Sequence, residues 1–246
     1  MPAPAADLPR HLEIVDRERQ QRAALPRLLA KVTALKAFQQ RRFSHTYADL
    51  LASDRYGAAA RYFLDELYGP ADFARVFPDQ VAETVATLAE LHALSEVLDT
   101  AMGMQLADEA ITPSGYIRAW QRVDRTADRA RQIELTLGIA AQLDRITRLP
   151  LLRNALRLMR GPARAAGLRE LQHSLETGFD TFRAMKGAEE FIALIGARER
   201  VFAAALFAAN DGSAAGDATM ERALAVLPPA LTPARARGSP GSPSGP

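Results

Sequence analysis

Apolar residues recur at steps of three and four along most of this chain, a period that predicts helices almost throughout. Val81, Val85, Leu88, Leu91, Leu94 and Leu98 trace one stripe, and Tyr116, Trp120, Val123, Ile133, Leu137 and Leu143 trace another. No sustained run alternates apolar and polar residues, and no Asn-Gly or Asp-Gly pair joins two β-branched runs, so strands are not expected. The expected fold is all-α, with about eight helices in one bundle-like domain over residues 1–209.

Punctuation places the elements. Helices are predicted over residues 8–25 and 26–42, the second opening at Pro26. "HTYADLLAS" predicts a short helix capped by Thr46, with Asp49 as its capping-box acid. Ser53 caps a helix over 54–68, which Gly69-Pro70 ends, because glycine accepts a left-handed conformation and proline cannot continue the ladder. Pro78 opens a helix to residue 107, and Thr112-Pro113 opens one over 113–147. A helix over 150–160 is expected to stop at Gly161-Pro162, with the next running to residue 185. Gly187 precedes a last helix ending near Ala209. Beyond Asn210 a short helix fits "DGSAAGDATMERALAVL", and then twelve of nineteen residues are Pro, Gly or Ser. Such a segment buries too little surface to order itself, so 210–246 is expected to be a mostly disordered tail.

The chain has no cysteine, which removes disulfides, thiolate metal sites and cysteine nucleophiles from consideration. Its first twenty residues lack the basic and apolar regions of a secretory leader. The apolar stretch "FIALIGARERVFAAALFAA" is interrupted by Arg198, Glu199 and Arg200, so no membrane span is expected and a cytoplasmic setting is. The net charge of +2 hides an asymmetry: residues 43–117 carry twelve acids and three basic residues, and residues 118–170 carry twelve arginines and five acids. Two halves of opposite sign can attract one another within the chain or between copies. With three lysines against twenty-eight arginines, the arginine excess reflects coding bias as much as phosphate binding.

"YFLDELYG" resembles the motif that names an uncharacterised bacterial family, the FFLEELY-motif proteins, with Tyr62 for the first Phe and Asp65 for the first Glu. "FSHTYADLLASDRYGAAA", "ALSEVLD" and "RGPARAAGLRELQ" extend the resemblance over about residues 40–207. It implies relatedness and a helical fold, and it brings no reaction and no catalytic residue.

Within the motif (Arg61, Tyr62, Phe63, Leu64, Asp65, Glu66, Leu67, Tyr68 and Gly69), Phe63 and Leu67 share one helix face and Leu64 and Tyr68 the next. That is a wide apolar stripe with Arg61 and Asp65 spaced to pair at its edge, so a structural duty is the plain reading. Asp65 and Glu66 point about 100° apart and do not make a shared metal or proton site. Glu66 is the candidate catalytic acid, should aromatic rings enclose it and raise its pKa.

His92 is the second candidate catalytic residue. It sits among leucines with Glu96 four residues on, and reads as a structural histidine or, less plainly, a haem ligand. Glu170 and His173 form one Glu-x-x-His element, but a di-iron site needs a second, which the chain lacks, so no metal is expected. Within the Arg145–Arg169 cluster, Arg157, Arg160 and Arg164 are candidate anion ligands beside the Gly161-Pro162 turn. Aromatic residues do not interleave with that cluster, which weakens the case for single-stranded nucleic acid.

Three functions stay open on these residues. The first is a non-enzymatic interaction or regulatory protein that binds a protein partner or itself. The second is an enzyme or cofactor binder with a pocket near Tyr62, Glu66 and His92, although no cofactor is indicated. The third is a nucleic-acid or anion binder using the arginines.

Overall fold

The computed structural model describes residues 7–68, 79–149, 152–165 and 169–208, together with residues 225 and 227. Eleven helical segments occur among them: α1 (Leu8–Ala23), α2 (Pro26–Thr46), α3 (Ala48–Leu51), α4 (Gly57–Tyr68), α5 (Asp79–Gln105), α6 (Pro113–Val123), α7 (Thr126–Thr147), α8 (Leu152–Leu158), α9 (Arg160–Ala165), α10 (Arg169–Met185) and α11 (Glu189–Ala208). No strand occurs among the described residues, so the all-α expectation holds while the helix count rises. One extra break lies within the expected 113–147 helix, and α9 and α10 stand where one helix to residue 185 was expected.

The first break lies inside the expected 113–147 helix. Thr112 caps α6 as anticipated, its Oγ1 accepting from the Gly115 amide at 3.0 Å. Asp124 then takes a left-handed conformation, φ 47° and ψ 44°, which ends α6 and lets α7 start in a new direction. Aspartate tolerates that region better than most non-glycine residues, and no glycine or proline marks the spot.

The break expected at Gly161-Pro162 falls at Met159 instead. Gly161-Pro162 was expected to end a helix, yet both residues lie inside α9. Proline costs little in a first turn, where its missing N–H would have no intrahelical acceptor. The Ala163 amide donates to the Met159 carbonyl at 2.8 Å and closes that turn.

Other punctuation reads as expected or nearly so. Ser53 Oγ accepts from the Arg55 and Tyr56 amides, both at 3.2 Å, ahead of α4. Thr46 does not cap α3; α2 runs through it and Tyr47 stands at the α3 cap. Lys186 at φ 56° and Gly187 at φ 115° turn the chain between α10 and α11. Pro78 and the Gly69-Pro70 stop lie outside the described residues, as does the tail apart from residues 225 and 227. Leu227 is buried against the core.

Long α5 runs through the middle, packing on α1, α2, α6 and α7, while α11 lies against α6 and α7. Two apolar clusters result. One gathers Phe43, Tyr56, Phe63, Leu143, Phe179, Phe182 and Phe191 from α2, α4, α7, α10 and α11 and the turn before α4. The other gathers Leu35, Phe38, Met102, Tyr116, Trp120, Phe202 and Leu206 from α2, α5, α6 and α11, and Leu227 joins it.

The motif helix α4 belongs to the first cluster. Phe63 and Tyr56 both meet Phe191, with ring centroids 6.0 and 5.7 Å apart, and so share one face. Leu64 packs at the cluster's edge. Tyr62 meets Phe182 edge-on and reaches α10 so closely that a Cβ on Gly178 would lie 2.6 Å from its hydroxyl oxygen. Arg61 donates to the Leu51 carbonyl at 3.0 Å. Its expected partner, the Asp65 side chain, lies outside the described residues with those of Glu66, Leu67 and Tyr68.

Candidate functional site: a charged cavity between the two cores

Between the two apolar clusters lies a cavity of about 120 Å³ walled by α2, α5, α6, α7 and α11. Three polar stripes build it, each at helical spacing. Lys36, Gln39 and Arg42 come from α2, His92, Glu96 and Asp99 from α5, and Arg129, Gln132 and Thr136 from α7. Gln39, Arg42, Glu96, Asp99 and Arg129 are each less than one-tenth exposed, at positions where a bundle ordinarily places leucine. Burying so many charges is costly unless they are paired and hydrogen-bonded, which accounts for the network that follows.

Glu96 is its hub. Arg22 of α1, itself buried, donates to one carboxylate oxygen of Glu96 and also to Thr100 Oγ1 at 2.8 Å. Lys36 donates to the other oxygen at 3.0 Å, and Arg19 stands 3.7 Å from it. Burial pushes the Glu96 carboxyl up, and Lys36 with Arg22 more than reverses that, leaving it below its ordinary value. Asp99, three residues on, accepts from Gln39 Nε2 at 3.1 Å and lies 3.8 Å from Lys36. Its burial outweighs the nearby cations and pushes its carboxyl up.

Across the cavity, Arg42 pairs with Glu199, which also accepts from the Tyr47 hydroxyl at 2.7 Å. Burial chiefly, with the Glu199 charge, pushes the Tyr47 phenol far up, so it stays a donor. Arg129 lies over the indole of Trp120, 3.9 Å from the ring centroid, and donates to Gln132 at 3.0 Å. The indole Nε1 of Trp120 is buried and has no hydrogen-bond partner among the described residues.

His92 lines this cavity on the side of Phe43 and Leu137. Desolvation chiefly lowers its pKa from 6.5 to about 4; Glu96 opposes this, and Lys36 and Arg19 add to it. The imidazole is therefore neutral at pH 7. Glu96, four residues on, acts on His92 through its charge while its carboxylate accepts from Arg22 of α1 and Lys36 of α2. The cavity is well below the roughly 300 Å³ of an ordinary drug-sized pocket, and a haem does not fit it. Tyr62 is not among the lining residues, and the Glu66 side chain lies outside the described residues, so of the expected Tyr62, Glu66 and His92 pocket His92 alone is placed here.

The arginines sit elsewhere. Arg160 is held bidentately by Glu176, and Arg153 lies 3.0 Å from Asp180, both acids on α10. Arg148 pairs with Asp144. The positive segment is thus answered largely by α10 and its own helix; Arg131 reaches back to the acidic segment, donating to Glu90 at 2.8 Å. Arg157 and Arg164 are exposed, and α9 is only six residues long. His173 is exposed on α10, and the Glu170 side chain lies outside the described residues. Among the described residues no three His, Asp or Glu side chains gather as a metal site, and no helix is long and apolar enough to cross a membrane.

Sequence reasoning passed over Gln39, Asp99, Arg129 and Trp120. The available signal was the interruption of each apolar stripe by polar residues at its own helical spacing.

No curated protein and no solved structure matches the chain. A family model does match, over residues 18–213, a wider span than the motif resemblance suggested, and the chain belongs to the family described as a domain of unknown function, DUF8198.

Proposed function

We propose that this protein is a small-ligand-binding regulatory module, a helical domain that takes a small polar molecule into its central cavity and passes its occupancy to partners. The observation that carries this reading is the cavity itself, where five helices converge on buried ionisable side chains. A bundle gains little stability from such groups compared with a well-packed apolar core, so their presence favours a recognition role. A ligand there touches helices from distant parts of the sequence and biases how they pack. This extends the interaction or regulatory reading, in a bacterial cytoplasmic setting and with kinship to the FFLEELY-motif proteins through Tyr62–Tyr68.

Thermal unfolding of the full chain against a panel of small acids, amines, amides and alcohols tests it. A ligand at a hundredfold excess over its Kd adds about 2.7 kcal/mol to stability, so a binder raises Tm measurably. Ala203→Phe, which fills the cavity from α11, is expected to abolish the rise. If no compound raises Tm, or if the rise persists in Ala203→Phe, the reading fails.

A further inference from the structure

The cavity is not uniform along its length. The hydrogen bond from Gln132 to Ser95 at 2.8 Å and that from Gln39 to Asp99 set the registers of α7 and α2 on α5. Asp99, Gln39, Arg129 and Trp120 therefore lie toward one end, and His92, Phe43 and Leu137 toward the other. Leu137 also packs against Gly196, next to Ile195 of α11, which places Ile195 at that second end. Arg129 and Leu137 are eight residues apart on α7, about 12 Å along the helix. One end is thus rich in charges and donors, and the other carries the apolar side chains of Phe43, Leu137 and Ile195 together with neutral His92, Thr136 and the mutually paired Arg42 and Glu199.

The charges around the cavity do not cancel. Lys36, Arg42 and Arg129 line the cavity, and buried Arg22 is bound to Glu96, so four cations face Glu96, Asp99 and Glu199. Glu96 and Glu199 are each already held by arginine. Asp99 accepts from Gln39 at 3.1 Å and lies 3.8 Å from Lys36. Trp120 adds a buried N–H, a donor only, beside the Arg129 guanidinium.

We propose that the cavity takes a small amphipathic carboxylate whose head meets Arg129 and the Trp120 indole N–H and whose short apolar body points toward Phe43, Leu137 and Ile195. A cavity of about 120 Å³ admits a molecule of about six non-hydrogen atoms, by comparison with the roughly 150 Å³ cavity that holds one benzene. This inference rests on the cavity being a ligand site and adds the chemical class. An amine of equal size would set its charge among the cations, with Asp99 alone to answer it.

Trp120 is the single tryptophan of the chain, so its fluorescence reports on this site directly. Sodium butyrate, n-butylammonium chloride, n-butanol and sodium phosphate are titrated into the full chain at constant ionic strength. Butyrate is expected to give a saturable change in emission, and the other three none over the same range. Arg129→Gln is expected to raise the Kd for butyrate about tenfold or more, as loss of a charge-assisted hydrogen bond does. Lys36→Met, at a partly exposed position, is a second variant that keeps the test alive should Arg129→Gln fail to fold by circular dichroism.

Saturation by butylammonium or butanol in place of butyrate overturns the carboxylate class and leaves the cavity as a ligand site. Saturation by phosphate alone overturns the apolar body. A response to butyrate unchanged in both variants overturns the assignment of the head group. No saturation by any probe overturns the inference, and the Tm panel decides independently whether the ligand-binding reading survives it.

Discussion

Arg129 lies over the Trp120 ring, its guanidinium carbon 3.9 Å from the ring centroid, although the two residues belong to different helices separated by the left-handed turn at Asp124. The turn makes the contact, since a straight helix would set residues nine apart on the same rod on well-separated levels. A double-mutant cycle with Arg129→Met and Trp120→Leu is expected to give a coupling energy of about 1 kcal/mol from urea unfolding. A coupling near zero would show that the stack is incidental.

Asp124 gives a second test. Its left-handed backbone and exposed side chain suit glycine, so Asp124→Gly should stabilise the protein by up to about 1 kcal/mol. Asp124→Val, with a β-branched side chain that resists positive φ, should destabilise it. The ordering Gly above Asp above Val in urea midpoints checks the assignment of the turn.

Buried Arg22 and Glu96 make a third. Arg22→Met leaves Glu96 with Lys36 and Arg19 as its remaining cations, and is expected to cost about 3 kcal/mol, the low end for breaking a buried pair. Because Glu96→Leu removes the charge that Arg22 compensates, the double variant should recover much of that loss. Equal stability of the single and double variants would mean that Glu96 keeps its solvation without Arg22.

His92 sets a pH dependence whose sign follows from its lowered pKa. Above pH 6.5 the imidazole is neutral in both folded and unfolded chains, and its contribution is flat. As pH falls from 6.5 toward 4 the unfolded chain binds a proton that the folded chain does not, so stability falls with pH across that window. Up to about 3 kcal/mol is involved at the acid end, at 1.36 kcal/mol per pH unit. Asp99, pushed up, and Glu96, held down, titrate in opposite senses nearby, so the wild-type curve is compared with that of His92→Gln. The difference between them is expected to slope between pH 6.5 and 4 and to be flat above; no slope would place His92 in water.

The sequence carried the helices well where a local signal existed. Thr112-Pro113 and Gly187 act through their own backbone neighbours, and both are where they were expected. Gly161-Pro162 misled because the same pair that stops a helix also suits a first turn, which is where α9 places it. Asp124 carried no punctuation that distinguishes it from an ordinary helical aspartate. Of the site, His92 and Glu96 were visible as a pair four apart, but Glu96 is bound by side chains from residues 22 and 36. Partners so distant in the chain leave no local pattern, and Arg129 read as one arginine among twelve in its segment.

Gly178 and Tyr62 tie two stretches of the gene together. The phenol fills the space that a Cβ at residue 178 would need, so any side chain there displaces the first ring of the motif. Phenylalanine in place of Tyr62 would not free that space, because the ring carbon Cζ would itself stand 2.7 Å from the same Cβ. Any side chain at residue 178 therefore has to come with a smaller residue at 62.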